Sequence, residues 1–274
     1  MSRPFLKMNG LGNDFVVVDA LAAPFAPSAD EVRALADRGR GIGCDQLVAI
    51  EPSTAADVRV RFWNADGEAV GACGNASRCV AQWVMDRTGR DAAVLETDAG
   101  LLSATRAGRN VTVDMGRPRL RWDEIPLAED MDTRGIELQV GPIDNPVLHT
   151  PGCVSMGNPH VVFFVSGAQA APVREVGPLI ERHMLFPEGV NVGFAQIKAR
   201  DRIRLRVWER GAGLTLACGT GACAALVAAH RRGLVDRRAT LELDGGELVI
   251  EWRVEDDHVL MTGPAVLEYE GTLP

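Results

Sequence analysis

ACGNASRC at residues 72–79 and ACGTGACA at residues 217–224 each set a cysteine ahead of a glycine and a run of small residues. Cys218 follows Cys73 by 145 residues, and the same shift aligns much of the remaining chain. VRFWNADG (60–67) falls on LRVWERGA (205–212), pairing Arg61 with Arg206 and Trp63 with Trp208. GLGNDFVVVDA (10–20) falls on SMGNPHVVFFV (155–165), pairing Gly12 with Gly157 and Asn13 with Asn158. CDQLVAI (44–50) falls on GVNVGFA (189–195), which pairs Gln46 with Asn191, and DEVRALADR (30–38) falls on EVGPLIERH (175–183). Near the end the register slips, NVTVDMGRP (110–118) matching DHVLMTGPA (257–265) at a shift of 147. Several matches at one gapless offset describe two homologous halves, residues 1–118 and 119–264, and the period is far too long for a solenoid.

Short alternating or β-branched runs predict strands in both halves. The first half offers FVVVDA, DVRVRFW, AVLET, LLSATR and NVTVDM; the second offers HVVFFV, RIRLRVW, ATLEL, ELVIEW and HVLMT. One longer helix follows each cysteine, GNASRCVAQWVMD (74–86) and GTGACAALVAAHRRG (219–233), and both are apolar on nearly every side. A helix apolar all round belongs inside a core. The expected fold class is therefore α+β: two pseudo-symmetric domains, each a β-barrel-like sheet wrapped around a central apolar helix. Without long helices between successive strands, a doubly wound sheet fits less well.

The bulk properties bound the partners. With 29 Lys and Arg against 37 Asp and Glu, the net charge is −8 and the basic residues are scattered. This argues against nucleic acid and against an anionic membrane surface, while leaving small ligands open. MSRPFLKMNG lacks the apolar core of a secretory signal, and no apolar run nears the roughly 18 residues of a membrane span. The expectation is a cytoplasmic protein whose six cysteines stay reduced, as catalytic or buried thiols.

Cys73 and Cys218 both stand where a glycine-containing turn hands over to a helix N-terminus. Unpaired N–H groups and the macrodipole favour a thiolate there. The N–H groups of Gly74, Asn75, Gly219 and Thr220 are placed to hold a carboxylate or the charge that develops on one. If the two halves face each other, one thiolate removes a proton from a bound carbon while the opposite thiol delivers one to its other face. That is the chemistry of a two-base racemase or epimerase. Neither Lys7 nor Lys198 lies in a recognisable pyridoxal-binding motif. The pairs Asn13/Asn158, Gln46/Asn191 and Asn64/Glu209, with Arg210 beside Glu209, supply readers for ammonium and carboxylate groups, Arg210 as a bidentate fork.

KMNGLGNDF, GCDQ, FWNADG, GACGNASR, GNPH, FPEGVNV, WERG and ACGTGACA stand in the order of the diaminopimelate epimerase family, which the chain closely resembles along essentially its whole length. The resemblance implies two halves, each a barrel around a helix, with a last strand at about 265–274 returning to the first half and the active site in the cleft between them. It implies cofactor-independent interconversion of LL- and meso-diaminopimelate, serving lysine and peptidoglycan synthesis, with Cys73 and Cys218 as the acid/base pair. By match, Asn13, Gln46, Asn64, Gly74, Asn75, Asn158, Asn191, Glu209, Arg210, Gly219 and Thr220 bind substrate, and His160 and Glu209 tune the thiols. It also implies a homodimer, for which Tyr269, the sole tyrosine, is a contact if it is not a core residue. Asn9 departs from a common histidine and Leu214 from a common glutamate.

Two other readings stand beside this one. A two-cysteine racemase acting on proline or hydroxyproline shares the geometry, but Arg210, Glu209, Asn64, Asn158 and Asn191 suit a substrate with a second amino-acid end. A non-catalytic thiol protein, redox switch or metal module, is the other class. Cys73/Cys79 and Cys218/Cys223 have spacings wider than usual zinc pairs and no histidine cluster, so no metal is expected. Cys79 and Cys223 read as core residues inside the helices.

Overall fold

The computed structural model describes residues 3–71 and 73–273. The chain forms two compact units, one of residues 1–114 and 262–274, the other of residues 115–261. In the first, β1 (Pro4–Gly10) and β2 (Asn13–Asp19) precede α1 (Ala29–Ala36), β3 (Gln46–Glu51), β4 (Val58–Asn64) and β5 (Ala69–Val70). Then come α2 (Gly74–Thr88), β6 (Ala92–Thr97), β7 (Gly100–Ala107) and β8 (Asn110–Asp114).

The second unit holds β9 (Gln139–Val140), β10 (Leu148–His149), β11 (Gly152–Ser155), β12 (Pro159–Phe164), α3 (Val173–Glu181) and β13 (Asn191–Ala199). They are followed by β14 (Arg202–Glu209), β15 (Gly213–Thr215), α4 (Gly219–Arg231), β16 (Arg238–Leu243) and β17 (Gly246–Trp252). The unit boundary falls inside β18 (Val259–Pro264), and β19 (Val266–Thr272) belongs to the first unit. There β19 pairs antiparallel with β1, Phe5 opposite Gly271 and Lys7 opposite Tyr269. A Cβ on Gly271 would lie 2.6 Å from the Phe5 ring, so only glycine lets the strand settle on it.

The repeat extends to strand register. β2 and β3 run parallel with Phe15 opposite Gln46, and β12 and β13 run parallel with His160 opposite Asn191. In the antiparallel pairs that follow, Leu47 faces Trp63 and Val192 faces Trp208. The slip begins earlier than the sequence match suggests. Ala93 pairs with Ala104 in the first unit and Ala239 with Ile250 in the second, a shift of 146. On β8 the buried residues are Val111 and Val113, and on β18 they are Val259 and Met261, so the face is kept at 148 rather than 147. A strand slipped by one residue would turn its apolar set outward, so burial, not residue identity, fixes this alignment.

Each unit also contains more parallel pairing than the sequence suggests. α1 and α3 carry the chain from β2 to β3 and from β12 to β13. α2 lies between the parallel strands β4 and β6, and α4 between β14 and β16. α1 starts on a capping box, Ser28 Oγ accepting from Glu31 N while Glu31 Oε2 accepts from Ser28 N at 2.7 Å. Such a cap contributes about 1 kcal/mol.

The two helices that follow the cysteines are the centres of their units. α2 packs on β1, β2, β6, β7 and β8; α4 packs on β11 to β14, β16 and β17. Every residue of α4 from Gly221 to Ala229 is buried. Small side chains predominate there because strands approach from several directions, and Leu226 and Val227 each contribute about 1.5–3 kcal/mol by leaving water. Cys79 and Cys223 are buried in these helices. Cys44 sits in the core against α1, where burial pushes its thiol up to about 11, and Cys153 lies in the second core with its thiol raised further by burial. Among the described residues no helix is long and apolar enough to cross a membrane.

Candidate active site

Cys73 and Cys218 do more than precede their helices: each is the N-cap. Their backbones are extended (φ −144°, ψ 112° and φ −120°, ψ 109°), and the sulfur takes the place of the usual serine or aspartate oxygen. Cys73 Sγ accepts from Ala76 N at 3.5 Å, and Cys218 Sγ accepts from Gly221 N at 3.4 Å. The N–H groups of the first two helical positions have no intrahelical acceptor. In α2 these belong to Gly74 and Asn75, in α4 to Gly219 and Thr220.

Around Cys218 the second unit gathers most of the residues expected there. Glu209 ends β14 and accepts a hydrogen bond from the Cys218 thiol and another from Thr215 Oγ1. Burial raises the Cys218 thiol well above its ordinary range, and the Glu209 charge raises it further, while Thr220 and Gly221 N act in the opposite sense. Burial raises Glu209 too, against the hydrogen bonds from Thr215 and Cys218. At rest, then, Cys218 carries its proton and points it at an acceptor.

A second chain of bonds reaches the same sulfur. His160 is buried and pushed down to about 3, by burial first and by the Arg210 charge second, so its ring is neutral. Its Nε2 lies 3.1 Å from Asn158 Oδ1, which can only accept, so the proton sits on Nε2. Asn158 Nδ2 donates to Thr220 Oγ1 at 3.3 Å, and Thr220 Oγ1 is 3.6 Å from Cys218 Sγ. With its oxygen occupied by Asn158, the Thr220 hydroxyl turns its own proton toward the sulfur.

Asn191 works on the turn after β14: its Nδ2 donates to Pro159 O at 2.9 Å and its Oδ1 accepts from Arg210 N at 3.0 Å. The Arg210 side chain is exposed and donates to Glu188 O at 2.7 Å, leaving the rest of its guanidinium available. Two residues not singled out by the sequence brace this turn. Thr215 grips Glu209, and buried Glu181 accepts from Trp208 Nε1 at 2.6 Å and from Gly211 N at 3.1 Å. Trp208 is thus a hydrogen-bonded fixture as well as strand packing.

In the first unit, Gln46 and Asn64 face each other across β3 and β4, Gln46 Nε2 donating to Asn64 Oδ1 at 2.8 Å. Asn13 begins β2, and its Oδ1 accepts from Asn75 Nδ2 at 2.6 Å. Gln46 Oε1 and Asn75 Oδ1 are buried acceptors with no protein partner. Such atoms are costly unless something supplies a hydrogen. Asn9, the first departure from the family pattern, is absorbed by the turn between β1 and β2. Its Oδ1 accepts from Gly12 N at 3.0 Å, where Leu11 and Gly12 have φ of 65° and 84°. Leu214, the second departure, packs on the core of the second unit. Tyr269 is about half exposed on β19, its ring edge-on to Phe5. Among the described residues no group of three or more His, Cys, Asp or Glu is disposed to hold a metal ion.

This fold is shared by solved structures of distant sequence. A hydroxyproline epimerase from Agrobacterium vitis superimposes with a TM-score of 0.65 at 17% identity, over 99% of this chain and 92% of that one. A phenazine biosynthesis protein of the PhzF family from Enterococcus faecalis gives a TM-score of 0.70 at 15% identity, over the full length of both. The scaffold is therefore the two-domain α+β fold common to these proteins, each repeat here headed by an N-capping cysteine.

Sequence narrows the class further. The family model for diaminopimelate epimerase matches twice, at residues 5–121 and 152–268. A diaminopimelate epimerase from Phenylobacterium zucineum is 66% identical over 100% of this chain and 99% of its own. One from a Caulobacter species (strain K31) is 62% identical over 100% and 98%. The chain belongs to the diaminopimelate epimerase family, and it is an isomerase.

Proposed function

We propose that the protein interconverts LL- and meso-diaminopimelate by a two-base mechanism in which Cys73 and Cys218 serve opposite faces of one α-carbon. The observation that carries this reading is the equivalence of the two cysteines: each N-caps the central helix of its repeat with its sulfur. Relatives 53–66% identical along nearly the whole chain all bear the diaminopimelate name, which favours that substrate over proline or hydroxyproline.

The residues divide the work as follows. The thiolate of one cysteine takes the α-proton, the electron pair stays on carbon as a planar carbanion, and the thiol of the other cysteine returns a proton to the opposite face. The carbanion's negative charge spreads onto the adjacent carboxylate, where the helix N–H groups of Gly74, Asn75, Gly219 and Thr220 receive it. One such donor contributes about 2.7–4 kcal/mol to a transition state. Cys218 starts as the proton donor, because burial and Glu209 keep it a thiol. When the reaction runs the other way, Glu209 takes the Cys218 proton and frees the sulfur to act as base. Asn13, Gln46, Asn64, Asn158, Asn191 and Arg210 hold the ammonium and carboxylate groups, and no organic electron sink takes part.

The protein works in the cytoplasm, within lysine and peptidoglycan synthesis, as a homodimer. The exposed residues Val266, Leu267 and Tyr269 on β19 make the apolar contact with the second copy.

The test is incubation with LL-diaminopimelate in deuterated water. Deuterium enters at the inverted carbon in the wild type, and Cys73→Ala and Cys218→Ala each abolish turnover. Full epimerisation by either variant would sink the two-base mechanism; turnover of proline in place of diaminopimelate would sink the substrate.

A further inference from the structure

We propose that Asp45 is a positioning residue that sets the hydrogen-bond polarity of Asn13 and Asn75, holding Asn75 Oδ1 as an acceptor for an N–H of the substrate. The chain of bonds has one possible sense. A carboxylate can only accept, so Asn13 must turn its Nδ2 to Asp45 Oδ2, 3.1 Å away. Its Oδ1 is then on the other side, where Asn75 must answer with Nδ2 at 2.6 Å. Asn75 Oδ1 is left as a buried acceptor with no protein partner. An amide pair without the carboxylate has two nearly equivalent orientations; the charge at its head removes the degeneracy.

Asp45 is itself pinned. Its Oδ1 accepts from Arg38 at 2.7 Å, its Oδ2 also accepts from Asp14 N at 3.1 Å, and its own N–H donates to Asp14 Oδ1 at 3.1 Å. Asp14 is gripped in turn by Lys7 at 2.6 Å and by both terminal nitrogens of Arg38.

The second repeat has nothing of this kind, which separates the network from mere scaffolding of the fold. The positions equivalent to Lys7, Asp14 and Asp45 are Gly152, Pro159 and Val190. The bond equivalent to Asn13–Asn75 is Asn158–Thr220, and it runs in the opposite sense, from the first residue to the second. One repeat thus ends in a bare acceptor suited to an ammonium hydrogen, the other in a hydroxyl proton offered to sulfur. The nature of the ligand group rests on the function proposed above; the polarity does not.

Two measurements test it, using the full-length protein. In side-chain amide ¹H–¹⁵N spectra, with Asn75 assigned through Asn75→Ala, the Asn75 NH₂ pair is protected from exchange in the wild type and loses that protection in Asp45→Asn. An Asn75 signal unchanged in Asp45→Asn overturns the proposal whether or not diaminopimelate is the substrate. In kinetics with diaminopimelate, Asp45→Asn raises KM about fivefold or more with kcat held within about twofold, as expected for one misoriented hydrogen bond. Placed on Asn75→Ala, the same change adds almost nothing, because its effect passes through that amide. Equal effects in both backgrounds overturn the positioning role, whereas a wild type inactive on diaminopimelate counts against the substrate and leaves the spectra to decide the polarity.

Discussion

The Cys218 thiol donates to the Glu209 carboxylate, and the effect is one-sided: the carboxylate's charge holds the proton on sulfur, the thiol's hydrogen bond favours the charged carboxylate, and burial holds both groups above their ordinary ranges. Replacing Glu209 with Gln separates acidity from catalysis. Without the negative charge the Cys218 thiol titrates lower, which alkylation against pH in a Cys73→Ala background reads directly. Turnover falls nonetheless, by about 10²–10⁴, because the base that takes the Cys218 proton is gone.

His160 makes stability depend on pH. The unfolded chain takes up a proton here near the ordinary histidine value of 6.5, the folded chain only at about 3. Between those values the unfolded state holds the extra proton, so stability falls as pH falls, by up to about 1.4 kcal/mol per pH unit, and is flat above the upper value. Phe15 stands at the equivalent place in the first repeat and is buried, which makes His160→Phe the natural control. Urea midpoints at pH about 7.5, 6 and 5 should diverge between the two proteins in that sense. Parallel curves would mean that His160 is protonated in the fold.

Gly221 lets the sulfur of Cys218 sit against the helix. A Cβ there would lie 3.1 Å from Cys218 Sγ and 3.2 Å from Val207 Cγ2, contacts that require one of them to move. The first repeat has Ala76 at this position. Gly221→Ala should cost only about 1 kcal/mol in a denaturant titration, since helix propensity offsets part of the clash. Its kcat should fall by about tenfold or more, because a small displacement of a reacting group is expensive.

Glu181 satisfies Trp208 Nε1 and Gly211 N with its two oxygens. Glu181→Ala leaves two N–H groups without an acceptor, at about 1–3 kcal/mol each. The same change releases the turn carrying Glu209 and Arg210. Guanidinium unfolding followed by tryptophan fluorescence should show the loss, and KM should rise with it.

The sequence states the repeat plainly, and with it the central helices, the two capping cysteines and the equivalence of Asn13 with Asn158. It is much less open about strands buried on both faces. β3 and β13 show continuous apolar runs, QLVAI and NVGFA, in place of alternation, because each lies between a parallel and an antiparallel neighbour. The crossovers through α2 and α4 were hidden for a related reason: β5 and β15 intervene between the strands they join, so composition alone does not pair β4 with β6 or β14 with β16. Asp45 and Glu181 escaped because the repeat draws the eye to residues present twice, while these face Val190 and Ala36 at the equivalent positions. A polar residue in one repeat against an apolar one in the other was the signal that would have found them.

The pairing of β19 with β1 has a consequence for how the protein is made. The second unit is one continuous stretch, residues 115–261, and is complete once that stretch has left the ribosome. The first unit, although synthesised earlier, lacks a strand of its sheet until Val266–Thr272 arrives. During translation β1 therefore waits with an open edge, and such edges invite wrong partners. The half whose codons are read first is the last to be finished.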